Sequence, residues 1–160
     1  MRVEVLVATA AGVKLSAPLA PNINHRDTVF GGSASALAIL SAWSLLYIRL
    51  QEENLSSRLV IQKSAMNYER PITAEFTAWS VIPDATIWLK FMNTLKRKSR
   101  ARISVAAVLH CKEEEVGKFE GDFVALLMQN PNADPVSGTT KKNFVSGFNG
   151  LSGYSTGSSA

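Results

Sequence analysis

Along much of this chain apolar and polar positions alternate with a period of two, the repeat of a strand that buries one face. Near the start, Val3-Glu4-Val5-Leu6-Val7 and Val13-Lys14-Leu15-Ser16-Ala17 flank the turn residues Ala11-Gly12, which predicts a half-buried hairpin. Residues 58–68 read as a long strand stopped before Pro71, and residues 72–81, with Phe76 and Trp79, as another. These two are expected to pair across Glu69-Arg70-Pro71. Residues 100–110 put Ala101, Ile103, Val105, Ala107 and Leu109 on one face and Arg100, Arg102 and Ser104 on the other. After a turn at Glu113-Glu114-Glu115, residues 116–127 alternate likewise and turn Phe119, Phe123, Ala125 and Leu127 inward.

Two stretches depart from that period. Residues 28–48 carry no charge, a run close to the ~20 residues a membrane-spanning helix needs. Gly31, Gly32, Ser33, Ser35, Ser41 and Ser44 dilute it, so the expectation is a helix from near Gly31 to Glu53-Asn54 enclosed on nearly all sides within a soluble domain. Pro83-Asp84 opens a shorter helix, with Ile87, Phe91 and Leu95 at spacings of four. About six antiparallel strands, one long apolar helix and a minor one make an α+β protein, most simply a curved sheet wrapped around a central helix. The sheet's edges invite self-association. Residues 1–128 form this domain. Residues 129–160 are a Gly/Ser-rich tail expected to be flexible, since Pro131 and Pro135 break any strand and residues 137–160 hold six serines and five glycines.

Composition narrows the class. With 160 residues, 46% hydrophobic and 19% charged, the chain is one soluble domain's worth and not a disordered segment. One cysteine and two histidines supply too few soft ligands for a structural zinc site, so neither a metal nor another cofactor is expected. Met1-Arg2 leads straight into a strand and not into a signal sequence, which makes the cytoplasm the expected location. The net charge of +4 suits a phosphate-bearing small molecule or an acidic carrier protein. Five of the seven residues Lys96-Arg97-Lys98-Ser99-Arg100-Ala101-Arg102 are basic, at a helix-to-strand junction. They are candidates for holding phosphates, or a merely solvated face. Without aromatic residues interleaved they make a poor nucleic-acid site. Trp43, Trp79 and Trp88 fall among apolar neighbours and are expected in the core.

The chemistry concentrates in Asn24-His25-Arg26-Asp27-Thr28-Val29-Phe30-Gly31-Gly32-Ser33, where polar side chains run into a Gly-Gly helix start. Unpaired N–H groups there favour a developing negative charge, and glycine lets a ligand approach the backbone. An equal reading is that the glycines only permit close packing, with Asn24 or Thr28 as a cap. Asp27 is a candidate base that would also sit well at the positive end of a helix without doing chemistry. Ser64, on a strand expected to line the cleft, is a candidate to assist a water or a plain structural serine.

The stretches Ala17-Pro18-Leu19-Ala20-Pro21-Asn22-Ile23-Asn24, Thr28-Val29-Phe30-Gly31-Gly32-Ser33 and Tyr68-Glu69-Arg70-Pro71 resemble those of the hot-dog-fold thioesterases, and among them the thioesterase domains found alone or fused to an acetyltransferase domain. The resemblance implies a hot-dog fold, a homodimer or a dimer of dimers (a homotetramer), and hydrolysis of acyl-CoA or acyl-carrier-protein thioesters in a cleft between subunits, with no membrane or nucleic-acid partner. In the phenylacetyl-CoA type an Asn precedes His-Gly-Gly by the interval between Asn24 and Phe30-Gly31-Gly32. By that likeness the Gly31 N–H would polarise the thioester carbonyl and Asn24 would orient substrate or water, with Phe30, Gly32 and Ser33 beside them. Arg97, Lys98 and Arg100 would hold the phosphates or the carrier. Phe30 replaces the family's His, and Ile39 stands where the family has its acidic residue. That second departure leaves the base open and supports an alternative: a catalytically weak acyl-CoA- or acyl-carrier-binding module. A hot-dog dehydratase, which would need His25 and Asp27 facing one cleft, ranks behind both.

Overall fold

The computed structural model describes residues 1–82 and 84–128. In chain order these form β1 (Glu4–Ala8), β2 (Gly12–Ala17), a 3₁₀ turn (Ala20–Asn22), α1 (Gly31–Glu52), β3 (Ser57–Tyr68), β4 (Phe76–Val81), α2 (Ala85–Lys98), β5 (Arg100–Cys111) and β6 (Glu114–Leu127). The strands make one antiparallel sheet in the order β1-β2-β4-β5-β6-β3. Helix α1 touches all six strands. Six strands at ~4.8 Å spacing span about 24 Å, more than twice a helix's ~10 Å width, so the sheet has to curve around α1 to make those contacts. This is the hot-dog arrangement. The expected tail lies outside the described residues.

Alternation decides what the sheet buries. On β5, Ala101, Ile103, Val105, Ala107 and Leu109 are all buried, and from β6 Phe119, Phe123 and Ala125 join them beneath α1, whereas Leu127 is half-buried. The helix contributes Leu37, Leu45, Leu46 and Leu50, none more than 1% exposed. Within that apolar contact sits one polar junction. The Ser41 hydroxyl lies 2.9 Å from the Val13 carbonyl and 3.0 Å from Ser80 Oγ, both serines being fully buried. A buried hydroxyl without a partner is costly, so this junction fixes the helix in one rotation and one position along the sheet.

Several expectations are corrected. β3 does not pair with β4; it pairs with β6 from Ser57↔Leu127 to Tyr68↔Gly117, while β4 lies between β2 and β5. A twelve-residue strand finds a partner of matching length in the fourteen-residue β6, not in the six-residue β4. Residues 69–75 cross over instead of turning, with Ile72 buried and its carbonyl accepting the Val29 N–H at 2.8 Å. The β5–β6 turn is Lys112-Glu113, both at positive φ (50° and 68°), so Glu114 and Glu115 belong to β6. Such a two-residue turn matches the twist of the strands it joins. In α2, Trp88, Phe91, Met92 and Leu95 face inward and Ile87 is exposed. Asp84 caps this helix, its Oδ1 accepting the Thr86 N–H at 2.8 Å. Trp88 is core, with the Arg49 guanidinium 4.4 Å above its ring. Trp43 is half-buried and donates to the Leu59 carbonyl at 3.2 Å. Trp79 lies on the outer sheet face across Gly12, where a Cβ would come within 2.8 Å of the ring.

One chain does not enclose α1. Leu40 and Tyr47 remain exposed on the helix, β3 is exposed along most of its length, and every residue of β1 is exposed instead of half-buried. The helix is long and apolar enough to cross a membrane by composition alone, but its apolar face is committed to the sheet.

The Ser41 junction makes a prediction about stability. Ser41→Ala should cost about 1–3 kcal/mol by leaving buried oxygens without their donor. Combining it with Ser80→Ala should cost less than the sum of the two, by about 0.5–1 kcal/mol. Urea midpoints of the three variants check both; strict additivity would mean the hydroxyls do not act as a pair.

Candidate functional site

The polar loop before α1 is a compact turn held by its own amides. Ile23 bridges Val29, and the Asn24 N–H donates to the Thr28 carbonyl at 2.7 Å. The Asn24 side chain is occupied at both ends: Nδ2 donates to Thr28 Oγ1 at 2.9 Å, and Oδ1 accepts the Arg26 N–H at 2.7 Å. This is the local bonding that makes Asn a turn former. Asp27 follows in the left-handed region at φ 57°, a conformation Asp and Asn tolerate better than most residues, and its side chain is exposed, as is His25. The loop is tied down from below by Asn22, whose carbonyl accepts the Phe30 N–H at 2.7 Å and whose Nδ2 donates to the Pro18 carbonyl at 2.7 Å.

Helix α1 then begins without a side-chain cap. The Ser33 and Ala34 N–H groups reach back to the Phe30 carbonyl at 2.9 and 3.2 Å, which leaves the Gly31 and Gly32 N–H groups without a partner among the described residues. Both glycines line a cleft of about 480 Å³ walled by Thr28, Val29, Gly31, Gly32 and Ala34 on one side and by Tyr68, Glu69, Arg70, Pro71 and Ile72 on the other. The two walls meet where the Tyr68 hydroxyl donates to the Gly31 carbonyl at 2.9 Å. Both glycines have a packing reason as well. A Cβ on Gly31 would sit 3.2 Å from the Tyr68 ring, and one on Gly32 would run into the ring of Phe30, which folds back over it.

Tyr68, Glu69 and Arg70 bring most of the polarity to this cleft. Glu69 and Arg70 both donate their N–H groups to the Val116 carbonyl, at 3.0 and 3.1 Å, which sets the direction in which the chain leaves β3. Arg70 is paired with Glu114 at 2.7 Å. Glu69 Oε1 accepts from Asn67 Nδ2 at 3.3 Å and lies 3.9 Å from Lys118 Nζ. Lys118 in turn bonds Glu115 at 2.8 Å; that bond and the charges of Glu115 and Glu69 raise the lysine's pKa, and the same bond lowers that of Glu115.

Of the residues singled out from sequence, Gly31 and Gly32 line the cleft, and Asn24 acts on it through Thr28. Asp27, Phe30 and Ser33 flank the helix start without lining the cleft, and Ser64 is exposed on β3 opposite Gly121. Ile39 is half-buried against the core. Sequence reasoning quoted Tyr68 and Glu69 but gave them no role; the available signal was a polar run placed between the end of a strand and a proline.

The basic cluster is split and distant. Lys96 turns toward Glu53 at 3.5 Å, Arg97 lies along α2 with Lys90 and Thr94, and Lys98, Arg100 and Arg102 share a hollow of about 460 Å³ with Val124. Arg100 pairs with Leu126, and Leu126 with Arg58, at the opposite end of β3 from Tyr68. Ten residues of strand separate those ends, roughly 33 Å. A larger hollow of about 580 Å³ lies on the outer sheet face between Lys14, Trp79, His110 and Glu75, and no helix terminus opens on it.

The structure is similar to that of a Chlorobaculum tepidum protein of unknown function, with a TM-score of 0.76 and 30% identity over 80% of this chain and 84% of that one. It is also similar to a thioesterase, so described with the qualifier "putative", from Shewanella oneidensis (TM-score 0.70, 27% identity, 79% and 85% of the two chains). A probable thioesterase from Pseudomonas aeruginosa shares the fold at 17% identity, with a TM-score of 0.70 over 79% and 83%. The family described as "Putative thioesterase (yiiD_Cterm)" matches residues 1–127, and this chain belongs to it.

Proposed function

We propose that the chain is an acyl thioesterase acting on coenzyme A or acyl-carrier-protein thioesters, working in the cytoplasm. The observation that carries this reading is that Gly31 and Gly32, whose N–H groups have no partner among the described residues, line one cleft with Tyr68, Glu69 and Arg70. A thioester carbonyl seated there would gain negative charge at its oxygen as water attacks, and backbone donors fixed by a helix stabilise that charge without having to reorganise. Asn24 acts as a positioning residue, holding Thr28 and with it the entry to the helix. Asp27 flanks the helix start, where its charge meets the positive end of the dipole.

A second copy completes the fold and the site. The free edge of β3, with Val60 and Ile61 exposed, and the exposed Leu40 and Tyr47 on α1 are apolar surface that a partner would cover. A two-fold, antiparallel pairing of β3 with its copy would lay the Arg58 end of one chain beside the Tyr68 end of the other. The partner's basic residues would then come toward this chain's cleft, where a nucleotide phosphate or an acidic carrier requires them. Either a dimer or a dimer of dimers satisfies this. One observation favours the non-hydrolytic reading, a binding module: Ile39 packs against the core where the phenylacetyl-CoA type carries its acid, so α1 itself supplies no base.

Free-thiol release from short, long and aromatic acyl-CoA esters tests the activity. Turnover from any of them supports a thioesterase; binding without release supports the module. Gly31→Val should lower kcat at least 100-fold, since the added side chain crowds Tyr68 and blocks the carbonyl from the N–H. Unchanged circular dichroism would show that the fold survives, and unchanged kinetics would remove Gly31 from the mechanism. Reversing the charges of Arg97, Lys98 and Arg100 should raise KM for coenzyme A esters about tenfold and leave truncated thioesters alone. Equal effects on both would count against a phosphate site. Sedimentation at micromolar concentration should give at least a dimer, and a persistent monomer would remove the shared cleft.

A further inference from the structure

The basic residues at the end of α2 are part of a longer surface. Thr86, Leu89, Lys90, Asn93, Thr94 and Arg97 line a hollow of about 490 Å³ along the outward face of α2, and Thr94 also borders the hollow of about 460 Å³ that holds Lys98, Arg100 and Arg102. The two therefore form one continuous strip. Five of its residues are cations, all of them exposed, and none of its lining residues is acidic. We propose that this strip docks an acidic helix of a carrier protein; on the thioesterase reading given above, on which this inference rests, the acyl group then arrives on a protein in preference to free coenzyme A.

Spacing, free charge and an apolar anchor all favour a protein. Lys90 and Arg97 stand seven residues apart on one helix, roughly 10 Å along its axis, and Arg100 and Arg102 carry the positive charge on into β5. A nucleotide phosphate is best held by cations converging on one point, whereas a strip of this length matches two or three turns of a partner helix with carboxylates on one face. The charge is also uncommitted. Among the described residues only Arg102 of the five has a carboxylate near it, Asp122 at 4.0 Å, so a facing acid has almost no ion pair to displace. Leu89 stands 60% exposed beside Lys90, an apolar point within a polar rim, as in the core of a protein interface. A nucleic-acid strand would use exposed aromatic rings for stacking, but Trp88 and Phe91 are buried. A membrane surface would need a broad apolar face, and that of α2 is turned into the core with Met92 and Leu95.

Docking of this kind is electrostatic in approach and apolar at contact. The unpaired lysines and arginines steer an acidic partner to the strip and set its register, and that contribution weakens as salt rises. Leu89 gives the seated helix a desolvated anchor. In the two-fold assembly proposed above, the basic end of the strip approaches the other chain's cleft, so a carrier seated on one subunit would present its thioester toward the other.

The probe is an acyl carrier protein, unloaded for binding and loaded with the acyl group of a matching coenzyme A ester for kinetics. Wild type should bind the unloaded carrier about tenfold more weakly at high salt than at low salt, and its KM for the loaded carrier should lie about tenfold below that for the coenzyme A ester. Leu89→Ser combined with Lys90→Glu should weaken carrier binding and raise the carrier's KM about tenfold, while kcat and the KM for the coenzyme A ester stay within about twofold. Lys14→Glu makes the same charge change on the outer sheet face and should leave the carrier's KM within about twofold. Equal losses in the two variants, equal losses with the two substrates, or no carrier binding by a wild type that hydrolyses coenzyme A esters would each overturn the proposal and leave the thioesterase reading standing. So would binding of a DNA duplex or of phosphatidylglycerol vesicles through Leu89 and Lys90 in place of the carrier. A wild type that binds the carrier through these residues yet hydrolyses no ester would overturn the hydrolytic reading and leave the docking surface in place. Leu89 and Lys90 are exposed, so circular dichroism should show an unchanged fold.

Discussion

A 22-residue helix with no charge before Arg49 has to be covered, and most of this structure follows from how six strands do so. The sheet curves because α1 touches every strand, and the helix cannot slide or rotate because Ser41 is committed to Val13 and Ser80 in an otherwise apolar contact. Fixing the helix fixes its start. The two glycines whose N–H groups no described residue caps are therefore held in the wall of one cleft, beside the crossover that leaves β3. The Tyr68–Gly31 hydrogen bond joins positions 37 residues apart in the chain, and through it the end of an edge strand becomes the far wall of a cleft at a helix terminus.

What the sequence made legible depends on how local each cause is. The alternation in β5 identified its buried face residue by residue, because period two reports the face of a strand directly. The same pattern says nothing about which strand lies alongside, and so the neighbour of β3 was misassigned: pairing is decided by strand length and by the burial of Ile72 across the helix start. Three consecutive glutamates gave no hint that the turn begins one residue earlier, at Lys112, and spacings of four in α2 fit Ile87 as well as they fit Trp88 until β5 set the rotation. At the site, Gly31-Gly32 was readable because glycine at a helix start is a local oddity. The facing wall was not, because Tyr68 acquires meaning only through its contact with Gly31, which the sequence pattern cannot show.

The loop that most resembles a catalytic motif also has a complete structural explanation. Asn24 spends both ends of its amide on Arg26 and Thr28, Asp27 occupies a left-handed turn position, and each glycine lies against an aromatic ring that a Cβ would crowd. A residue pattern shared with hot-dog thioesterases could thus be kept for folding alone. Side-chain capping is nevertheless absent here: an aspartate or serine in place of Phe30 would accept the Gly32 N–H, and Phe30 has no such acceptor. Leaving it open gives up that stabilisation at a helix end that lines a cleft.

Charge completes the same argument at larger scale. One chain holds its helix start and its basic cluster at opposite ends of β3, too far apart for a single bound coenzyme A thioester to be placed by both in an obvious way. The edge of β3 and the outer stripe of α1 are among the surfaces left uncovered, and in the proposed two-fold dimer a second copy would close them while reversing the strand and bringing those ends together. That proposed assembly would cover the exposed apolar surface and shorten the separation between the basic cluster and a helix start in one step. In that assembly Ile39 need not be a defect. A helix whose length is spent on packing has only its tip free to face a ligand, and in α1 that tip is held against the end of β3 by the Tyr68–Gly31 hydrogen bond.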